Sequence, residues 1–97
     1  MVIDLSEEFL ADADKRIDHL HEQLKRGDSE SFGATAHALK GASLTFGAKT
    51  FSSLCKDMEM IGKSGNLDGA QEKLAETQAE YARVRAELPR ILQDMLP

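Results

Sequence analysis

Apolar residues recur at helical spacing along nearly the whole chain, and this periodicity constrains the fold more than any other feature. The first stripe comprises Phe9, Ala13, Ile17, Leu20 and Leu24, at intervals of three or four residues. No segment shows the strict alternation of apolar and polar residues that is typical of a half-buried strand. The sequence therefore predicts an all-α protein.

Capping residues and glycines divide this pattern into four helices. Ser6 and Asp28 can each accept a hydrogen bond at a helix start, and Gly27 follows the basic last turn of the first helix. Gly47 is expected to end the second helix. The predicted helices cover, in order, about 6–26, 28–47, 49–61 and a fourth helix from around 67.

Pro89 interrupts the pattern of the last helix. Because proline lacks an N–H and clashes with the preceding turn, we expect a kink there, or a new helix with Pro89 in its first turn. The connections between the predicted helices are short, which favours an antiparallel up-and-down four-helix bundle. The 97 residues are enough for one domain, covering 1–97.

Composition excludes several classes of function. The net charge of −5 argues against nucleic acid or an acidic membrane surface as a partner. The sequence has neither a long apolar run nor a basic segment followed by an apolar one, so we expect no membrane span and no signal peptide. The single cysteine, Cys55, lies on an apolar stripe and is expected to be buried. One unpaired cysteine is typical of a cytoplasmic protein. We also expect the protein to be a monomer.

His37 is predicted to lie on the exposed face of the second helix. At about 100° per residue, the apolar stripe of this helix is centred roughly 140° away from it. The stripe consists of Phe32, Ala36, Leu39, Ser43 and Phe46. The helix therefore buries one face and presents its histidine to solvent.

Small residues surround His37, where exposed helix faces normally carry long polar side chains. Gly33, Ala34 and Gly41 fall within roughly 60° of it, and each glycine costs about 1 kcal/mol relative to alanine. A surface without long side chains gives a partner room to approach the imidazole. Lys40 supplies a cation one helical turn further along the chain. These residues predict a nucleophilic histidine that meets its reactant on another macromolecule.

Other chemistry finds little support in the sequence. His19 and His21 point in different directions from the first helix and are interpreted as solvated surface residues. The spacing of His and Cys matches no metal site, and no glycine-rich phosphate loop or nucleophile elbow occurs. We therefore expect no metal, no nucleotide site and no kinase activity. Most of the acidic residues are assigned to the solvated faces of the helices.

The segment around His37 closely resembles the signature of histidine-containing phosphotransfer (HPt) domains of phosphorelay signalling. The matching residues are HALKGAS at 37–43 and FGA at 46–48. The resemblance extends to the layout of the whole chain, with an N-terminal helix, a histidine helix, a third helix and a long last helix. It implies the four-helix bundle that periodicity also predicts.

The resemblance implies a role for each matching residue. His37 would accept and donate the phosphoryl group through its outward ring nitrogen, Nε2. Lys40 would stabilise the phosphoryl group, Gly41 would leave room for the partner, and Gly47 would allow the turn into the third helix. Leu44 lies two turns further along the face of His37 and departs from the family pattern, which favours a small or polar residue beside the phosphoryl group; its apolar side chain would serve docking.

The expected partners are receiver domains of response regulators and a hybrid sensor histidine kinase. The chain would be a phosphoryl carrier with no cofactor of its own, and Mg²⁺ would be bound by the receiver. Docking is expected on Gly33, Ala34, Gly41 and Leu44 and on the adjoining flank of the first helix. Two alternatives stay open: a helical adaptor that binds a receiver or kinase without phosphotransfer, and a structural bundle that dimerises through its last helix.

Overall fold

Four helices account for nearly all of the chain that the structure describes. In chain order they are α1 (Leu5–Arg26), α2 (Ser29–Leu44), α3 (Lys49–Lys63) and α4 (Ala70–Met95). The structure is a computed structural model, which describes residues 5–45 and 48–95 and, within them, the side chains of 7–45 and 48–87. No strand occurs in those ranges. The all-α prediction is confirmed.

The turn between α1 and α2 forms as its residues predict. Gly27 adopts a positive φ of 70° and donates its N–H to the carbonyl of Leu24 at 3.1 Å. Asp28 caps α2, since its carboxylate accepts a hydrogen bond from the Ser31 N–H at 3.1 Å. The two residues between these helices thus end one and begin the next.

The fourth helix begins later than its apolar pattern indicates. It starts at Ala70, and the predicted start around Leu67 is wrong. The Asn66 side chain accepts a hydrogen bond from the Asp68 N–H at 2.9 Å, and Gly69 adopts a φ of 80°. These features form a turn in which Leu67 still packs on the core although it precedes the helix.

The end of the second helix also differs from the prediction. Helix α2 ends at Leu44 with Thr45 as its C-cap, before the predicted end at Gly47. Gly47 itself, together with Phe46 of the predicted stripe, lies outside the described residues. At the other end of the chain, α4 continues past Pro89 as one helix, so no new helix starts there. A kink at Pro89 stays a prediction.

The helices pack as a closed ring. Each packs on its neighbour in sequence, α1 also packs on α4, and the most extensive contact joins α2 and α3. The predicted up-and-down bundle is confirmed. Its core contains Phe9, Ala13, Ile17, Leu20, Phe32, Ala36, Leu39, Phe51, Cys55, Met58, Ala70, Leu74, Tyr81 and Val84. Among the described residues, no helix combines the length and hydropathy needed to cross a membrane.

Candidate functional site

His37 projects from α2 into solvent, as its helical position predicts. Its side chain is 65% exposed. The opposite face of α2 is buried through Phe32, Ala36, Leu39 and Ser43. Burial of that stripe fixes the rotation of the helix and therefore the direction in which the imidazole points.

Glu59 of α3 holds the inner edge of the imidazole. Its Oε2 lies 2.9 Å from Nδ1 of His37, although the residue is only 4% exposed. Glu59 is thus an exception to the assignment of most acidic residues to solvated faces. Glu59 follows Cys55 by four residues and precedes Gly62 by three, so it lies on the buried stripe of α3 and faces α2.

Two lysines complete the cluster around this carboxylate. Lys40 of α2 donates to Oε1 at 2.8 Å, and Lys63 of α3 lies 2.9 Å from Oε2. The hydrogen bond from Lys40, followed by that from Lys63 and with a contribution from His37, lowers the pKa of Glu59 to about 2 against the opposing effect of burial. The carboxylate is therefore ionised at neutral pH.

The ionised carboxylate determines which nitrogen of the neutral His37 ring carries the proton. A carboxylate can only accept hydrogen bonds, so the neutral imidazole must carry its proton on Nδ1 and donate it to Glu59. The lone pair then resides on Nε2, at the outer edge of an exposed ring. A carboxylate that fixes the tautomer and orientation of histidine in this way also stabilises positive charge on the ring.

A contact between two glycines brings Glu59 close to His37. A Cβ on Gly62 would lie 2.5 Å from the Cα of Gly33, and a Cβ on Gly33 would lie 3.3 Å from the carbonyl oxygen of Glu59. The backbones of α2 and α3 therefore touch. Gly33 is buried, so its expected exposure is wrong, and its small size is explained by helix packing rather than by partner docking.

The other predicted docking residues are exposed. A Cβ added to Gly41 would meet nothing within 4 Å, and Ala34 is open to solvent. Leu44 is 56% exposed. Their exposure is confirmed, and their role in docking stays a prediction.

A groove beside His37 lies between α2 and α3. Its volume is about 620 Å³. It is lined by Ser29, Glu30, Gly33, Ala34, His37, Glu59, Gly62, Lys63 and Gly65. None of these residues belongs to α1, whose flank was expected to adjoin the site. The space next to the imidazole is thus bounded by the histidine helix and the helix that carries Glu59.

The remaining candidate groups lie apart from this cluster. His19 and His21 are exposed on α1, and the His21 ring bonds the Gln78 side chain at 3.0 Å. Cys55 is buried as predicted, and burial raises the pKa of its thiol to about 12. Across 7–45 and 48–87, where side chains are described, no group of three or more His, Cys, Asp or Glu residues could hold a metal ion.

Comparison with known proteins places this arrangement in a family. Residues 4–87 match the Hpt domain family. The crystal structure of histidine-containing phosphotransfer protein B (HptB) from Pseudomonas aeruginosa PAO1 is similar, with a TM-score of 0.87 and 31% sequence identity. That match covers 93% of this chain and 78% of HptB, whereas no curated protein sequence matches. With most of its residues matched, the chain belongs to the Hpt domain family.

Proposed function

We propose that the protein is a phosphoryl carrier of a phosphorelay. His37 accepts a phosphoryl group from an aspartyl phosphate of one receiver domain and passes it to the aspartate of another. Membership of the Hpt domain family and the likeness to HptB support this role. The chain acts as a carrier between proteins and does not phosphorylate itself from a nucleotide.

One observation carries the proposal. A buried, ionised carboxylate holds Nδ1 of His37, while the ring extends into solvent and carries its lone pair outward. A histidine with a purely surface role would need no such partner. Burying a carboxylate is unfavourable unless its hydrogen bonds are satisfied. The buried carboxylate of Glu59 uses one of these hydrogen bonds to hold the imidazole.

The transfer step follows from this geometry. Nε2 attacks phosphorus in line, the N–P bond forms, and the P–O bond to the receiver aspartate breaks with its electron pair leaving on the carboxylate. The proton on Nδ1 does not move, so the phosphorylated ring gains positive charge. The ionised Glu59 stabilises that charge at a distance of 2.9 Å. Passing the group to a second receiver reverses each change.

The remaining electrostatic contributions are divided between the two proteins. Lys40 keeps Glu59 in position and adds positive charge beside the ring. Mg²⁺ bound by the receiver would neutralise charge on the transferring group. Ala34, Gly41 and Leu44 form the exposed surface that meets the receiver, in a transient complex that suits a carrier. We place this exchange in the cytoplasm, with the protein as a monomer.

A transfer assay with a matched histidine control tests the proposal. The wild-type protein, His37→Gln and His19→Gln are incubated with a panel of receiver domains carrying radiolabelled aspartyl phosphate. We expect acid-labile, base-stable phosphate on the wild type and on His19→Gln, and none on His37→Gln. Circular dichroism should show the same helicity for all three, because both histidines are exposed.

Two results would contradict the proposal. Label on His37→Gln at the level of the wild type would show that another residue is modified. Binding to receivers without label on any variant would instead support the adaptor alternative.

A further inference from the structure

The cluster around Glu59 holds more positive charge than its carboxylate neutralises. Two ammonium groups, from Lys40 and Lys63, contact the one carboxylate, and His37 shares it. One positive charge is therefore left over beside the ring. An anion attached to the imidazole would meet a cation already present.

The two lysines differ in how easily they can leave Glu59. Lys40 alone bonds Oε1, and its side chain is 25% exposed. Its departure would leave one oxygen of a buried carboxylate without a partner, which is costly. Lys63 shares Oε2 with the Nδ1 proton of His37, and its side chain is 73% exposed. When Lys63 leaves, each carboxylate oxygen keeps one donor.

Lys63 is also close enough to act on a group carried by the ring. The Nζ of Lys63 and Nδ1 of His37 both lie 2.9 Å from the same oxygen, so they are separated by at most twice that distance. Both residues line the groove between α2 and α3, whereas Lys40 does not. The lysine end of this ion pair is exposed to water, which weakens the pair, so its exchange for a contact with a doubly charged phosphoryl group is favourable.

We infer that Lys63 is a phosphoryl-binding residue: it exchanges Glu59 for the phosphoryl group on Nε2 of His37, while Lys40 stays on Oε1 as a positioning residue. This inference rests on the proposed function, since it requires that His37 be phosphorylated. The lysine on α3 would then contact the phosphoryl group. The lysine in the histidine motif would act through Glu59.

The experiment avoids the receiver by phosphorylating the protein chemically with phosphoramidate. His19 and His21 are first replaced by Gln, which leaves His37 as the one histidine of the chain. Phosphorus-31 NMR then follows the titration of the phosphoryl group in this background and in three further variants, Lys63→Met, Lys40→Met and Lys56→Met. Lys56 is an exposed lysine of the same helix and serves as the matched control.

A nearby cation favours the dianionic phosphoryl group, so its loss should raise the titration midpoint. We expect Lys63→Met to raise it by about half a pH unit, a threefold weakening that suits an exposed pair. Lys56→Met should leave it unchanged, and Lys40→Met should change it less than Lys63→Met does.

Either of two results overturns the inference: a Lys63→Met midpoint equal to that of Lys56→Met, or a larger shift in Lys40→Met. Failure of His37 to hold a phosphoryl group would overturn both this inference and the proposed function. Failure of transfer from receivers alone, with the phosphorus titration as expected, would count only against the proposed function.

Discussion

Two carboxylates of this protein, Glu59 and Asp14, are each paired with side chains of a neighbouring helix, in different surroundings. Glu59 is buried between α2 and α3. Asp14 on α1 accepts hydrogen bonds from the hydroxyl of Tyr81 at 2.6 Å and from Arg85 at 3.0 Å, both on α4. These contacts, led by that of Tyr81, lower the pKa of Asp14. Its side chain nevertheless stays 49% exposed.

The contacts of Glu59 orient the His37 ring, whereas those of Asp14 only join α1 and α4. Water can replace each partner of Asp14, so that ion pair contributes little to stability. Around Glu59 water has little access, and loss of Lys40 would leave one oxygen of the buried carboxylate without a partner. A carboxylate paired with a cation therefore fixes an imidazole at Glu59, where it is buried, but only connects two helix surfaces at Asp14, where it is exposed.

Substitution of Gly62 should have the largest effect on stability. A methyl group there would overlap the backbone of Gly33, so Gly62→Ala must push α3 away from α2. We expect it to lower the free energy of unfolding by about 3 kcal/mol, measured by urea denaturation. The matched control is Gly41→Ala, which has open space and should raise the same quantity by about 0.5–1 kcal/mol. Equal effects of the two substitutions would contradict the backbone contact.

Removal of the buried carboxylate should lower the free energy of unfolding more than removal of the exposed one. Glu59→Ala leaves two ammonium groups without their counterion, one of them largely buried, and should lower the free energy of unfolding by about 2 kcal/mol. Asp14→Ala should lower it by about 0.5 kcal/mol. Urea denaturation of both variants at pH 7 tests this difference. A larger loss for Asp14→Ala would reverse our interpretation of the two sites.

Acid should weaken the folded state partly through Glu59. Its pKa is about 2 in the folded protein and 4.5 in its ordinary range, so the unfolded chain binds a proton first as the pH falls. The stability from Glu59 is therefore complete above pH 4.5 and is lost progressively between about pH 4.5 and 2. Denaturation at several pH values should show a shallower decline over this interval for Glu59→Gln than for the wild type. An unchanged slope would mean that Glu59 is not held as an ion.

Local patterns in the sequence predicted the fold because local physics determines most of it. The apolar stripes and the cap at Asp28 gave four helices in the right order. The start of α4 was misplaced because a turn stabilised by the Asn66 side chain and Gly69 interrupts a stripe that continues through Leu67. Apolar spacing shows which residues face the core and does not show whether the backbone is helical there.

The site was predicted only in part because its key contact joins two helices. The motif identified His37, and its exposure followed from α2 alone. Glu59 was missed, although an acid on the stripe that contains Cys55 was a signal that could have found it. Gly33 was placed correctly beside His37. The pattern of one helix, however, does not show that the backbone of Gly33 packs against α3.

The contact between Gly33 and Gly62 has a consequence for repeated cycles of transfer. Interlocking side chains can adopt other rotamers, whereas two backbones in contact have no rotamers to change. The closest approach of α2 and α3 at this point is thus set by backbone atoms and not by side-chain rotamers. A carrier must return to the same starting state after every delivery. The contact between Gly33 and Gly62 keeps Glu59 in place beside His37, so the imidazole can regain its orientation without repacking of the core.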